Sequence, residues 1–314
     1  MPTFWDSLCV PIKNVRRKDP LMRRKVNAPN IILQKCTGCK LCIEVCPSFV
    51  LEMRDDKASV VRGEWCIGCG HCGAVCPVEA VLHEATSYGK IIPPGPSAAI
   101  SPESLQLMIR ERRSVRIYGK EEVTEESLKK IFDAGRYAPT GTNSQNVNYI
   151  VLRSPDQIEK LRKMTIRFYE KIFSWVRSRV GRQLLALMEG RTIVESLQES
   201  LPKVDHAKKL MEQGQDRLFF HAPVLMLAHA ESWDTCSAFN CSVALYNCSL
   251  MAHTLGIGCC FNGYLVSAVN KDRDIKRWLG IPKDHRCYAA MTLGHQKVQY
   301  QRLVQRRLPK VAWR

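Results

Sequence analysis

The chain has 314 residues, of which 45% are hydrophobic, and its 47 Lys and Arg against 30 Asp and Glu give a formal charge of +17. This length predicts about two domains, and no apolar run reaches the roughly 18 residues of a membrane span. The cations are spread along the chain without a zinc finger, helix-turn-helix or aromatic RNA-binding signature, so nucleic acid is not the expected partner.

Residues 1–30 form a basic arm in which Arg and Lys crowd around Pro20. We expect a solvated or surface-wrapping tail, with docking to an acidic partner as the alternative. The arm has no continuous apolar stretch, so it does not read as a signal peptide. Together with fifteen cysteines, this predicts a protein of the reducing cytoplasm.

Eight cysteines form two matching runs, each with the spacing C-x2-C-x2-C-x3-C followed by proline, Pro47 in the first run and Pro77 in the second. This is the spacing of bacterial two-cluster ferredoxins, so it predicts two [4Fe–4S] clusters and electron transfer. The cysteines are Cys36, Cys39, Cys42 and Cys46 in the first run, and Cys66, Cys69, Cys72 and Cys76 in the second.

In this pattern the fourth cysteine of each run binds the cluster of the other run. The expected ligand sets are therefore Cys36, Cys39, Cys42 and Cys76 for cluster 1, and Cys66, Cys69, Cys72 and Cys46 for cluster 2. Zinc is the alternative, but structural zinc sites usually combine two cysteine pairs from separate loops. A disulfide framework is disfavoured because the number of cysteines is odd and no secretory signal is visible.

Both runs lie in a compact unit predicted over residues 31–90, flanked by short strands at Ile31–Leu33 and Ala80–His83. The segment 91–100 contains three prolines and one glycine, which interrupt helices and central strands, so it is predicted to be a linker. Residues 101–314 then form a second domain.

The second domain begins with helical signals. Ser101 is a candidate N-cap followed by Pro102, and its helix is expected to extend to about Arg112. Thr124 caps the next helix, which ends before Pro139, and Ser154 opens a third helix as part of a capping box.

A long helical region is predicted from about Ile166 to Leu210, with an apolar stripe and several cations. We favour a packing or subunit-interface helix over one that binds a membrane surface. The stripe consists of Tyr169, Ile172, Phe173, Val176, Val180, Leu184 and Met188.

The last third alternates strands with helices, which together predict an α+β fold. The predicted strands are Ala222–Ala230, Ile257–Phe261 and Tyr288–Leu293, and the predicted helices are Ser237–Leu255, ended by Gly256, and Lys271–Leu279. Cysteines outside the two runs, including the adjacent Cys259 and Cys260, are expected mostly to be small buried apolar residues.

Three segments of the second domain, taken in order, resemble the FMN-dependent nitroreductase family. They are RERRSVRIY at Arg110–Tyr118, AGRYAPTGTNSQN at Ala134–Asn146, and GIGCCFNGY at Gly256–Tyr264 paired with TLGHQKVQYQRLVQRR at Thr292–Arg307. The whole chain is similar to ferredoxin–nitroreductase fusions. The resemblance implies a bacterial ferredoxin-like domain followed by an α+β domain with a central, mostly antiparallel sheet flanked by helices.

The resemblance also implies FMN as cofactor, a homodimer, and a set of flavin contacts. Arginines of the first segment suit the FMN phosphate, and the second segment reaches the flavin of the opposite subunit. The implied residues are Arg112, Arg113, Ser114, Arg116, Pro139, Thr140, Gly141, Asn143, Gln145, Asn262, Gly263 and Arg302. For His71 and His221, a core or surface role is favoured over tuning a cluster or donating a proton near the flavin.

These features predict an iron–sulfur flavoprotein oxidoreductase that passes electrons from a low-potential donor to a small organic acceptor such as a nitro compound, quinone or activated alkene. An acidic ferredoxin or a flavodoxin is the expected donor, with NAD(P)H open. Two alternatives remain, a reductive dehalogenase-type enzyme on the same fold and a non-enzymatic electron carrier or redox sensor. No catalytic side chain is assigned, because the chemistry belongs to the cofactors.

Overall fold

The computed structural model describes residues 28–83, 91 and 99–314. The chain divides into two compact units, Met1–Ala99 with Thr142–Ser144, and Ile100–Gly141 with Gln145–Arg314. Most of the predicted basic arm 1–30 and most of the predicted linker 91–100 lie outside the described residues, as does Cys9.

The first unit is a small repeat built from short elements. Two strand pairs are antiparallel, one joining β1 (Asn30–Ile31) to β4 (Val81–Leu82) and the other joining β2 (Leu51–Arg54) to β3 (Lys57–Val60). The helices α1 (Leu41–Glu44) and α2 (His71–Ala74) occupy equivalent places in the two cysteine runs. The predicted flanking strands are therefore present in shorter form, and the β2–β3 hairpin was not predicted.

The second unit contains a four-stranded sheet in the order β5-β6-β8-β7, and each neighbouring pair is antiparallel. The predicted antiparallel sheet is thus confirmed, and β5 is a strand that sequence reasoning missed. The strands are β5 (Asn148–Leu152), β6 (Val224–Glu231), β7 (Ile257–Phe261) and β8 (His285–His295).

Helices cover both faces of this sheet. Ser101 and Thr124 cap the first two helices as predicted, each accepting an N–H from a serine three residues later, whereas Ser154 makes no side-chain cap bond, so the predicted capping box is wrong. The helices are α3 (Pro102–Glu111), α4 (Glu125–Arg136), α5 (Pro155–Arg177), α6 (Arg179–Glu189), α7 (Arg191–Glu212), α8 (Ser237–Thr254), α9 (Gly263–Lys271) and α10 (Arg273–Trp278).

Strand β6 supplies alternate residues to two cores, because successive side chains of a strand point to opposite faces. Met226 packs with Leu245 of α8 in the core that α4 also joins. Leu225 and Leu227 pack with α5, α9 and α10 in the other core, which includes Leu265. The sheet is therefore the middle of the three layers of the second unit.

The predicted apolar stripe of residues 169–188 is not one continuous face. Phe173 and Val176 are buried, but Val180, Leu184 and Met188 are exposed. The reason is a helix break at Ser178, whose backbone is extended and whose hydroxyl caps α6 by accepting the N–H of Gly181. The predicted helical region is therefore present, but it consists of three separate helices, α5, α6 and α7.

Candidate functional sites

The eight cysteines of the two runs line two separate cavities in the first unit. The first is lined by Cys36, Cys39, Cys42 and Cys76. The second is lined by Cys46, Cys66, Cys69 and Cys72. Each cavity thus receives three cysteines from one run and the fourth from the other, which is the arrangement that the spacing predicts.

Left-handed backbone lets each loop fold back around its cavity. Gly38 has a φ of +70°, and a Cβ at this position would lie 2.3 Å from the carbonyl oxygen of Asp56, so only glycine fits. Its counterpart Gly68 has a φ of +66°. Lys40 and Gly70 are also left-handed and lead directly into α1 and α2, which carry Cys42 and Cys72.

Backbone amides point at the sulfurs in both cavities. Val50 N donates to Cys46 Sγ at 3.4 Å and Ala80 N donates to Cys76 Sγ at 3.2 Å, four residues along the chain in each case. Gly68 N donates to Cys66 Sγ at 3.4 Å. Such N–H groups stabilise thiolate charge, so the cavities fit anionic, metal-bound sulfur.

Several of these thiols need a compensating positive charge to ionise. Burial raises the pKa of Cys66, and it raises the pKa of Cys72 to about 11. Burial, followed by neighbouring cysteines, also raises the pKa of Cys42. The hydrogen bonds from Ala58 and Gly38 instead lower the pKa of Cys36. A metal centre supplies the charge that deprotonates coordinating thiols, which fits this donor set.

His83 is a neighbour of the second cavity that sequence reasoning missed. Its Nε2 lies 3.6 Å from Cys66 Sγ, and burial lowers its pKa. His71, which the sequence singled out, lines the same cavity with an exposed side chain. Comparison of the two runs at their 30-residue offset could have found His83, because it takes the place of Met53.

In the second unit, the predicted arginine segment runs beside β7. Ser114 forms a parallel bridge with Cys259, and Val115 N donates to Cys259 O at 2.9 Å. Gly258 allows this close approach, since a Cβ there would lie 2.7 Å from the side chain of Val115. The segment is therefore fixed against the sheet directly after α3 ends.

Two arginines of this segment have buried nitrogen atoms that lack partners. Among the described residues, Arg112 Nε and Arg113 Nη2 are buried and make no hydrogen bond. A buried donor without an acceptor is costly, and a phosphate oxygen is the kind of acceptor that would satisfy it. Arg116 lies alongside, exposed, with its guanidinium 5.8 Å from the ring centroid of Phe220. The segment therefore fits a bound anion.

The predicted loop at residues 139–146 follows α4 and is held by a polar network. Gly141 N donates to Asn240 Oδ1 at 3.1 Å, and Gln145 N donates to Thr140 Oγ1 at 3.0 Å. The buried Asn240 donates in turn to Asn146 Oδ1 at 3.0 Å. Pro139, at the start of the loop, is exposed.

Asn146 anchors the far end of this loop. Its Nδ2 lies within 3.2 Å of oxygens of Glu231, Asp234 and Ser237. Sequence reasoning missed both Asn146 and Asn240 as positioning residues. The sequence gives no local signal for them, because their partners are about 90 residues away.

Asn143 belongs to the first unit, where its Nδ2 donates to Ile67 O at 3.1 Å.

The remaining predicted flavin residues differ in how they are held. Asn262 is buried and caps α9, accepting from Leu265 N at 2.9 Å while its Nδ2 donates to Leu218 O at 2.7 Å. Its side chain thus positions the loop, and Gly263 begins the helix with its N–H at the positive end. Arg302 lies in the exposed C-terminal segment and makes no hydrogen bond or ion pair with any described residue.

His221, which the sequence offered as a proton donor near the flavin, instead stabilises its own loop through hydrogen bonds to Asp216. Its Nε2 accepts from Asp216 N at 3.0 Å, and its own N–H donates to Asp216 Oδ2 at 3.1 Å. The favoured structural role fits this geometry. None of the cysteines in the described parts of the chain forms a disulfide, and Cys259 and Cys260 are both buried as expected.

No helix among residues 28–83 and 99–314 is long and apolar enough to cross a membrane.

Comparison with known proteins identifies both units. A model of the nitroreductase family matches residues 109–295, more than half of the chain, and a model of the 4Fe-4S dicluster domain matches residues 28–77. "Ferredoxin 7Fe" of Hydrogenibacillus schlegelii is 41% identical over 56 residues, which are 17% of this chain and 70% of that protein.

Two further similarities cover the second unit. An Archaeoglobus fulgidus protein, provisionally named NADH dehydrogenase/NAD(P)H nitroreductase, is 25% identical over 190 residues, 60% of this chain and 84% of that protein. The crystal structure of a nitroreductase with bound FMN from Desulfitobacterium hafniense DCB-2 covers 68% of this chain and 100% of its own, with 22% identity and a TM-score of 0.48.

Proposed function

Since the chain belongs to the nitroreductase family and carries a 4Fe-4S dicluster domain, it is an iron–sulfur oxidoreductase, and we propose that it uses two [4Fe–4S] clusters and FMN to reduce a small organic acceptor with electrons from a low-potential donor. When bound, the clusters carry single electrons and FMN collects two of them for the acceptor. The acceptor classes are nitro compounds, quinones and activated alkenes.

One observation carries the proposal. Two cavities, each lined by four cysteines, occur in the same chain as a pair of buried arginine nitrogens that lack acceptors. The cysteines would hold the clusters in the crossed sets described above. Arg112 and Arg113, with Ser114, would hold the FMN phosphate, and the loop at 139–146 would contact a flavin ring.

The charge of the chain supports a protein donor. With a formal charge of +17, the surface attracts acidic proteins, and opposite charge accelerates encounter. An acidic ferredoxin or a flavodoxin in the cytoplasm would fit this requirement, and NAD(P)H is the alternative donor. A rate with reduced ferredoxin that falls steeply with added salt supports the protein donor, whereas a salt-independent rate with NADPH supports the nucleotide.

The proposal includes a homodimer, which would bring the 139–146 loop of one subunit to the flavin of the other. Apolar side chains exposed in the single chain support it, including Leu187 at 85% and Trp313 at 91% exposure. Sedimentation velocity of the loaded protein tests this part, and a monomer at micromolar concentration would contradict it.

Anaerobic purification followed by iron, sulfide and flavin analysis tests the cofactors. We expect about eight iron atoms and one FMN per chain, because both cysteine runs are complete. Seven iron atoms, the number in the name of the Hydrogenibacillus schlegelii relative, would correct the cluster types, and zinc in place of iron would refute the proposal. Turnover with nitro, quinone and halogenated acceptors then separates a reductase from a dehalogenase, and no turnover at all would indicate a carrier or sensor.

A further inference from the structure

The two cysteine cavities are related by the internal repeat, so their surroundings can be compared position by position. At an offset of 30 residues, Cys36 corresponds to Cys66 and Gly38 corresponds to Gly68. The N–H groups of Val50 and Ala80 contact the fourth cysteine of each run in the same way. A difference between the two sites therefore stands out against a shared framework.

The main difference lies at the first cysteine of each run. Cys66 Sγ receives Gly68 N at 3.4 Å and has the imidazole Nε2 of His83 at 3.6 Å. Met53 occupies the position equivalent to His83 in the first repeat, and a methionine carries no side-chain N–H. The second site therefore has a side-chain hydrogen bond to sulfur that the first lacks at the corresponding position.

The first site has different polar groups around its first cysteine. Cys36 receives the backbone N–H groups of Gly38 and Ala58, and Lys57 Nζ donates to the carbonyl oxygen of Cys36. The positive charge of Lys57 lies next to the first cavity, and Lys57 is on the opposite strand of the hairpin from Met53. The polar side chain next to the first cysteine of the run is thus a lysine at the first site and a histidine at the second.

An iron-bound thiolate can only accept a hydrogen bond, so His83 Nε2 must be the donor when a cluster is present. Hydrogen bonds to the sulfurs and nearby positive charge stabilise the more negative, reduced cluster and raise its reduction potential. We propose that His83 tunes the cluster at Cys66 and Lys57 tunes the cluster at Cys36, so that the two reduction potentials are set independently. This inference rests on the proposed function, because it requires both clusters to be bound.

The test is an anaerobic redox titration of the full-length, iron-loaded protein, followed by electron paramagnetic resonance. His83→Met gives the second site the residue of the first. We expect one of the two one-electron transitions to move to lower potential while the other stays in place. A tenfold change in the reduction equilibrium corresponds to a shift of about 59 mV.

Three further variants make the result specific. His83→Gln keeps a side-chain N–H donor and should restore much of the potential, and Met53→Leu at the equivalent position should move neither transition. Lys57→Met should lower the other transition. Should His83→Met lose iron, His83→Phe takes its place, since phenylalanine fills a similar volume without a donor.

The inference is overturned if loaded His83→Met leaves both potentials unchanged, if His83→Gln shifts the potential as far as methionine does, or if the His83 and Lys57 variants move the same transition. Zinc in place of iron in the wild-type chain would instead refute the proposed function, which distinguishes the two failures.

Discussion

Replacement of Arg113 by alanine tests the phosphate site most directly. Its Nη2 is buried without an acceptor among the described residues. A hydrogen bond between charged groups contributes about 1.5–3 kcal/mol, so FMN binding should weaken about 10- to 150-fold. The apoprotein should not lose stability, because the substitution removes a buried group whose hydrogen-bonding potential the protein leaves unmet.

Both quantities can be measured on the same preparations. Quenching of FMN fluorescence gives the dissociation constant of the apoprotein, and thermal unfolding without FMN gives its stability. Arg110→Ala is the matched control, since Arg110 is exposed in the last turn of α3, only three residues away. Equal affinities for wild type and Arg113→Ala, or an equal loss for Arg110→Ala, would show that the phosphate does not bind here.

Three further predictions concern stability. Leu245→Ala removes a fully buried side chain from the core under α8, and the free energy of unfolding in urea should fall by about 2–5 kcal/mol. Gly258→Ala places a Cβ 2.7 Å from Val115, so thermal unfolding should show a loss of about 1–3 kcal/mol together with weaker FMN binding. Burial and then the charge of His285 lower the pKa of His229 to about 4 from its ordinary 6.5, so the unfolded chain takes up this proton first as the pH falls. Stability should therefore decrease from about pH 6.5 to pH 4 by roughly 3 kcal/mol, and His229→Gln should remove this component.

Each of these has a control on the same chain. Lys129→Ala, on the exposed side of α4, should change stability by less than about 1 kcal/mol. Gly263→Ala adds a Cβ that meets nothing within 4 Å, so it should not destabilise the fold. The exposed His206→Ala should keep the wild-type slope of stability against pH. A Gly258→Ala protein as stable as Gly263→Ala, or a slope unchanged in His229→Gln, would contradict the packing and titration arguments.

The cysteine sites could be predicted from sequence because their chemistry fixes the spacing. Three thiolates within seven residues must converge on one cluster, so the spacing of the cysteines reflects the arrangement of the ligands. The helix caps at Ser101 and Thr124 could also be predicted, because each cap and its hydrogen-bond partner are only three residues apart. The β2–β3 hairpin escaped prediction because its turn uses Asp55 and Asp56, which are both left-handed with φ of 46° and 59°, where Asn-Gly is the usual signal.

Other parts of the candidate sites depend on contacts that are distant in sequence. The start of α9 reads as a loop because Asn262 and Gly263 are typical turn residues, yet the asparagine is a helix cap. The division of the apolar stripe between two helices was not predicted, because hydrophobic periodicity alone does not reveal the helix break at Ser178. Asn240 supports a loop about a hundred residues before it, which only the fold brings into contact.

The exchange of fourth cysteines between the two runs has a consequence for how the first unit is assembled. Cys46 lines the cavity of the second run and Cys76 lines that of the first, so neither half contains a complete ligand set. If the clusters bind in the proposed crossed sets, the chain must bring both halves together before either cluster gains its fourth protein ligand. Loading is expected to be all-or-none, and a fragment carrying one run could not mature by itself.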